Sequence, residues 1–255
     1  MAACPCPSFS RIVTLEEPSL NPKVVAQLID HTLLKPEAAH KDIVQLCREA
    51  REFGFASVCV NPYWVSIAAA ELFSSAVHVC TVVGFPLGAN QRETKVRETE
   101  LALTNGATEI DMVQNIGALK SGDLDTVHNE IADVAELAHS RDAILKIILE
   151  TSLLTSEEIV STCQTAIEAQ ADFVKTSTGF SKGGATAENV RLMRSVVGPK
   201  LGVKASGGIR TLETLRSMVE AGATRIGTSS GIAILGELAT TAASELTAQG
   251  NVSGY

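Results

Sequence analysis

The chain has 255 residues, of which 45% are hydrophobic, 20% charged and 4% aromatic, a composition that supports a buried core in one large α/β domain or two small ones and is incompatible with disorder. Its 21 basic and 29 acidic side chains leave a net charge of −8, without the broad basic surface that binding a phosphate backbone requires. The longest apolar runs, such as the one over 144–149 interrupted by Lys146, fall far short of the roughly 20 residues that span a bilayer.

The amino terminus, MAACPCPSFSR, has no basic stretch followed by an apolar one, so no signal peptide is expected and the cytoplasm is the default location. Residues 1–20 read as an extension of the fold. Within it, Cys4 and Cys6 lie between prolines, and a disordered tail is a simpler reading of them than a metal site. The other cysteines, Cys47, Cys59, Cys80 and Cys163, fit neither a zinc spacing nor a CxxC pair and are expected as free thiols.

From there to residue 248 the chain alternates short β-branched runs with longer amphipathic stretches. Strands are predicted over 29–34, 57–60, 78–83, 109–113, 144–149, 173–175, 201–204 and 225–227. Between them, 41–53 puts Ile43, Val44, Leu46, Cys47, Ala50 and Phe53 on one face, and 123–139 does the same with Leu124, Val127, Ile131 and Val134; both are predicted helices. Thr155 followed by Glu158 reads as a capping box opening a further helix, and Leu212, Leu215, Met218 and Val219 mark one ending at Gly222. Small residues recur where helix gives way to strand, as in Phe53-Gly54-Phe55-Ala56, Asn105-Gly106-Ala107-Thr108, Gln170-Ala171-Asp172 and Ala221-Gly222-Ala223-Thr224. Eight such units without a flexible linker predict a single (β/α)8 barrel, with an open doubly wound sheet as the alternative. Neither GxGxxG after the first strand nor GxxxxGK[ST] occurs, so the usual nucleotide fingerprints are missing.

Catalytic groups of such barrels project from the carboxyl ends of the strands, and those ends are polar here. The first carries Asp30, His31 and Thr32; the fourth Glu109 and Asp111; the fifth Lys146, leading to Glu150; the sixth and seventh end in Lys175 and Lys204. A lone strand-end lysine is most often ion-paired or snorkelling. Three on neighbouring strands are expected to share a confined, desolvated space, in which like charge and burial can depress a lysine pKa by about 3 to 5 units. The neutral amine so formed attacks carbonyl carbon, and the resulting Schiff base is an electron sink for carbon–carbon cleavage, with Asp111 able to move protons. The residues alone do not rank the three lysines. Gly179, Gly183-Gly184, Gly207-Gly208 and Gly227-Thr228-Ser229-Ser230-Gly231 follow the last three strands; their amides are the material of a phosphate cradle. The five histidines form neither HExxH nor a compact cluster with carboxylates, so no metal site is expected, and His31 is either structural or close to substrate.

These segments resemble the deoxyribose-phosphate aldolases, a class I aldolase family, over residues 28–235. The resemblance runs through IDHTLLKPE (29–37), SVCVNPYWV (57–65), TVVGFPLGAN (81–90), EIDMVQNIGALKSGD (109–123), LKIILET (145–151), FVKTSTGF (173–180), GVKASGGIR (202–210) and GTSSG (227–231). It implies reversible cleavage of 2-deoxyribose 5-phosphate to glyceraldehyde 3-phosphate and acetaldehyde without cofactor or metal. It further implies a Schiff base on Lys175, modulation of that amine by Lys204, and a proton relay joining Asp111 to Lys204. Phosphate contacts fall to Gly207, Gly208, Ser229 and Ser230, while Asp30, Thr32, Cys59, Lys146, Thr178 and Gly179 surround the substrate. One departure stands out: some relatives carry lysine after the STG glycine, where this chain has Phe180, with Lys182 two residues on. Residues 249–255 read as a mobile tail whose last residue, Tyr255, matches a tyrosine that assists proton exchange in some members. A small phosphorylated sugar and acetaldehyde are thus the expected partners, and assembly into a homo-oligomer is compatible with the reading. The alternatives are another phosphosugar aldolase or isomerase, metal-dependent or not, on the same barrel, and a non-catalytic phosphosugar-binding barrel.

Overall fold

A computed structural model describes residues 21–250. Among them, eight parallel strands close into one barrel in sequence order, the predicted (β/α)8 architecture. The strands are β1 (Ile29–Leu33), β2 (Ser57–Val60), β3 (His78–Val83), β4 (Glu109–Val113), β5 (Ile144–Ile148), β6 (Phe173–Lys175), β7 (Gly202–Ser206) and β8 (Arg225–Thr228). Around them lie α1 (Pro22–Ala26), α2 (His40–Phe53), α3 (Val65–Glu71), α4 (Arg92–Thr104), α5 (Ile116–Lys120), α6 (Leu124–His139), α7 (Ser156–Glu168), α8 (Ala187–Val197), α9 (Leu212–Glu220) and α10 (Gly231–Gly250). Closure is made by β1 pairing with β8 through Ile29–Ile226, Asp30–Gly227 and His31–Thr228.

Four strands match their predicted bounds, and the rest differ at one or both ends. The largest difference is β7, which runs two residues past Lys204 because Ser206, polar in sequence, is buried and donates from Oγ to Ser177 O at 2.6 Å. Thr155 caps α7 through the expected capping box. At the helix-to-strand joints Gly54, Gly106 and Gly222 take positive φ, and Gln170, with φ of 60°, does the same without being glycine. The regular pattern hid α4: its buried residues are Lys95, Thr99 and Ala102, so no apolar stripe announces it. Lys95 is fully buried, its Nζ donating to Val113 O at 2.9 Å and pairing with Glu130 of α6 at 2.7 Å.

Apolar packing concentrates between the strands and the helical ring, where Val58, Ile110, Ile147, Val174, Val203 and Ile226 meet helix residues such as Ile43, Ile131 and Leu215. The barrel interior differs from the usual filling of branched aliphatic side chains. Along each strand alternate residues face inward, and here that set includes Asp30, Cys59, Cys80, Glu109, Asp111, Lys146, Lys175, Lys204 and Arg225. A smaller apolar cluster of Leu34, Cys59, Cys80 and Val82, with Phe85 packed on it, lines the β1–β3 side. Room for the lower layer comes from Gly202, where a Cβ would fall 2.1 Å from the Phe173 ring; that ring in turn lies 5.5 Å beneath the Arg225 guanidinium.

Candidate active site

The three predicted lysines meet inside the barrel. Register sets Asp111 beside Lys146, and Lys175 beside Lys204, so consecutive strands β4–β7 aim their side chains into one volume. Lys175 Nζ donates to Asp111 Oδ2 at 2.7 Å, and Lys204 Nζ donates to that same oxygen at 2.7 Å. Lys146 Nζ reaches Asp111 Oδ1 at 2.9 Å and Glu109 Oε2 at 2.6 Å, with Asp30 Oδ2 at 3.9 Å. Lys204 also donates to Asp30 Oδ2, and Arg225 Nη1 spans Asp30 Oδ1 at 2.6 Å and Glu109 Oε2 at 3.1 Å. Three carboxylates therefore face four basic side chains, all of them buried except the half-buried Arg225.

This geometry corrects the electrostatic expectation for two of the lysines. Burial alone would push the Lys146 and Lys204 ammonium groups down, but the facing carboxylates, Asp111 foremost, outweigh it and hold both above the ordinary lysine value. Burial would likewise raise Asp111 and Asp30; Lys146, Lys175 and Lys204 hold Asp111 well below the carboxylate range, and Arg225 with Lys204 and Lys146 does so for Asp30. Lys146 and Lys204 are thus held as cations in the resting site. Lys175 differs in its surroundings, touching one carboxylate oxygen that it shares with Lys204.

The remaining predicted residues fall at the strand exits or just beneath. Thr32 lies two residues beyond Asp30 on the same face of β1 and donates to the Asp30 carbonyl at 2.8 Å. Cys59 pairs in register with Cys80, and hydrogen bonding to Cys80, followed by the nearby Lys204 charge, draws its thiol below the usual value despite burial. Thr178 is buried and Gly179 exposed at the exit of β6. Gly207 and Gly208 leave β7 with φ of 88° and 82°. A Cβ on Gly184 would sit 2.2 Å from Gly207 O, so the β6 and β7 exit loops touch backbone to backbone, and Ala185 N donates to Gly207 O at 3.0 Å. Ser229 and Ser230 precede α10, and the Ser230 amide is held by Thr228 Oγ1 at 2.9 Å. Phe180 sits at the rim, its ring edge-on to Phe85 at 5.3 Å, and Lys182 is exposed. His31 takes the structural alternative: it turns outward to Glu49 of α2 at 2.8 Å. Cys4, Cys6 and Tyr255 lie outside the described residues.

Sequence reasoning left Arg225 and Cys80 out of the site. Arg225 was detectable in principle, since it stands two residues before Gly227 on the inward phase of β8 and pairs in register with Lys204. Among the described residues, two donor sets, Cys59–Cys80–Asp111 and Asp30–Cys80–Glu109, are close enough to hold a metal ion. Their carboxylates already carry ammonium or guanidinium groups, so these sets do not suit a cation.

A parallel barrel with buried lysines gathered round a carboxylate at its strand exits defines the class of aldolases that act through a lysine imine. The family model described as DeoC/LacD family aldolase matches residues 24–254. The chain belongs to this family, and within it to the deoxyribose-phosphate aldolases. It is 62% identical over 207 residues to a deoxyribose-phosphate aldolase of Brevibacillus brevis, covering 81% of this chain and 93% of that one. With a deoxyribose-phosphate aldolase of a Geobacillus species it shares 58% identity over 211 residues, covering 83% and 94%. A solved structure, described as the tetrameric deoxyribose phosphate aldolase of Aeropyrum pernix, superposes with a TM-score of 0.82 at 36% identity, covering 87% of this chain and 93% of that one.

Proposed function

We propose that the protein catalyses reversible retro-aldol cleavage of 2-deoxy-D-ribose 5-phosphate to D-glyceraldehyde 3-phosphate and acetaldehyde, with Lys175 as the imine-forming residue. The observation that carries the reading is the sharing of one Asp111 oxygen by Lys175 and Lys204, each at 2.7 Å. Four bases face three acids, and Lys175 is tied to those acids by a single contact, on an oxygen it shares with Lys204. The Lys175 amine adds to C1 of the open-chain sugar and water leaves, giving an iminium ion. A base takes the proton from the C3 hydroxyl, the C2–C3 bond breaks, and its electron pair flows toward the iminium nitrogen to form an enamine. Glyceraldehyde 3-phosphate departs, C2 takes up a proton, and water releases acetaldehyde and regenerates the amine. In this scheme Asp111 and Lys204 relay protons through water, and the cation Lys146 keeps the site positive around the anionic substrate.

Backbone amides at Gly207, Gly208 and Ser229, with the Ser230 hydroxyl at the start of α10, form the phosphate cradle of this reading. Asp30, Thr32, Cys59, Thr178 and Gly179 surround the sugar chain, and Tyr255 takes part in proton exchange at the enamine carbon. Residues 21–248 act as one catalytic barrel, with 1–20 and 249–255 as flanking extension and tail. A cytoplasmic location is compatible with the absence, among the described residues, of any helix long and apolar enough to cross a membrane. Assembly into a homo-oligomer is in keeping with the tetramer described for the Aeropyrum pernix relative. The test is borohydride reduction in the presence of acetaldehyde followed by peptide mass mapping. A two-carbon adduct on Lys175 is expected; one confined to Lys146 or Lys204 overturns the assignment.

A further inference from the structure

The exit of β5 carries a buried carboxylate that the chemistry above does not use. Glu150 is 2% exposed and takes a left-handed backbone, φ 59° and ψ 60°, a conformation that strains a non-glycine residue. Leu149 N donates to Lys175 O and Thr151 N to Thr176 O, both at 2.9 Å. The chain therefore advances two residues on the β5 side against one on the β6 side, a bulge whose extra residue is Glu150.

Glu150 Oε2 accepts from the Thr178 amide at 3.2 Å and also from the Thr178 hydroxyl. Thr178 Oγ1 accepts in turn from Phe180 N at 3.1 Å. Oε1 has no hydrogen-bond partner among the described residues, and neither do the neighbouring hydroxyls Thr151 Oγ1 and Ser177 Oγ. A strained backbone and an under-satisfied buried acid both weaken the fold, and both occur where β5 grips the strand end bearing Lys175.

We propose that Glu150 is a positioning residue for Lys175. Its carboxylate fixes the turn Ser177–Phe180, and the bulge it occupies clamps the Lys175 and Thr176 carbonyls, so the amine approaches the carbonyl carbon in one orientation. The inference rests on Lys175 being the imine-forming residue.

The experiment compares Glu150→Leu and Glu150→Gln with wild type in steady-state cleavage and in the rate of borohydride-trapped imine formation with acetaldehyde. Glu150→Leu should lower kcat by about a hundredfold, the scale of loss for a misplaced reacting group, with KM changed much less. Glu150→Gln retains an acceptor for Thr178 and should recover kcat to within about tenfold of wild type. Should Glu150→Leu fail to fold, Thr178→Val and the double variant Glu150→Gln/Thr178→Val carry the test. An effect transmitted through Thr178 makes the double variant no worse than the poorer single one. Trapping at the wild-type rate in Glu150→Leu, or additive losses in the double variant, overturns the positioning role. Absence of any Lys175 adduct in wild type instead overturns the aldolase assignment itself.

Discussion

Replacing Lys204 with leucine tests the electrostatic core of the site. The Lys175 and Lys204 nitrogens each lie 2.7 Å from Asp111 Oδ2 and are therefore at most about 5.4 Å apart, a separation at which two ammonium charges repel by at least ~3 kcal/mol in a medium of effective dielectric near 20. Removing Lys204 relieves that repulsion and brings the cluster to three bases against three acids, so no proton remains in excess. At roughly 1.4 kcal/mol per factor of ten, that repulsion corresponds to about a hundredfold in the rate at which the proposed Lys175 amine forms its imine. The fold should tolerate the change, because Asp30 keeps Arg225 at 2.6 Å and Asp111 keeps Lys146 at 2.9 Å. No buried charge is orphaned, and the ~3–5 kcal/mol cost of breaking a buried pair is avoided. The assay is release of glyceraldehyde 3-phosphate, resolved into kcat and KM between pH 6 and 9. The expected outcome is a loss of about a hundredfold in kcat with KM little changed. Wild-type turnover in Lys204→Leu, or a loss confined to KM, would refute the reasoning.

Asp30→Asn probes the same cluster through stability. A carboxyl group held below its unfolded value, near 3.9, contributes stability that is fully present above that value and lost as pH falls through the folded one. The gap in thermal midpoint between wild type and Asp30→Asn, followed by circular dichroism, should therefore be constant from pH 7 to pH 5 and narrow below about pH 4; a constant gap down to pH 2 contradicts the assigned ion pairing. Gly208→Val tests the cradle: at φ of 82° a β-branched residue is strongly disfavoured, so the turn must rearrange. Cleavage of 2-deoxyribose 5-phosphate should fall far more than that of unphosphorylated deoxyribose, measured as kcat/KM for each, whereas equal losses place the phosphate elsewhere.

Strand positions were legible because short β-branched runs closed by small residues carry a local signal, and β2, β3, β4 and β6 needed nothing more. The convergence of Lys146, Lys175 and Lys204 was also legible, since strand-end position and neighbouring strand number place side chains in a closed barrel. Glu150 gave no such signal: nothing in ILET announces a left-handed glutamate, and the bulge exists only in the pairing with β6.

The protonation pattern could not be read locally either, because it is set by partners brought together by closure. Asp30 stands 174 residues from Lys204 and 195 from Arg225, and they meet only where β1 joins β8 and β7 follows. Confinement with like charge suggested depressed lysines; confinement with converging carboxylates produced elevated ones in two of the three cases. Residue type and strand-end position are common to all three lysines, so neither can separate them. The number of carboxylates within reach does: Lys146 meets Asp30, Glu109 and Asp111, Lys204 meets Asp30 and Asp111, and Lys175 meets Asp111 alone. Lys146 and Lys204 each hold two or three buried acids at once, whereas Lys175 holds a single acid that both of the others also hold. On the proposed reading, a seven-charge cluster with one surplus positive charge leaves the imine-forming role to the lysine with fewest partners.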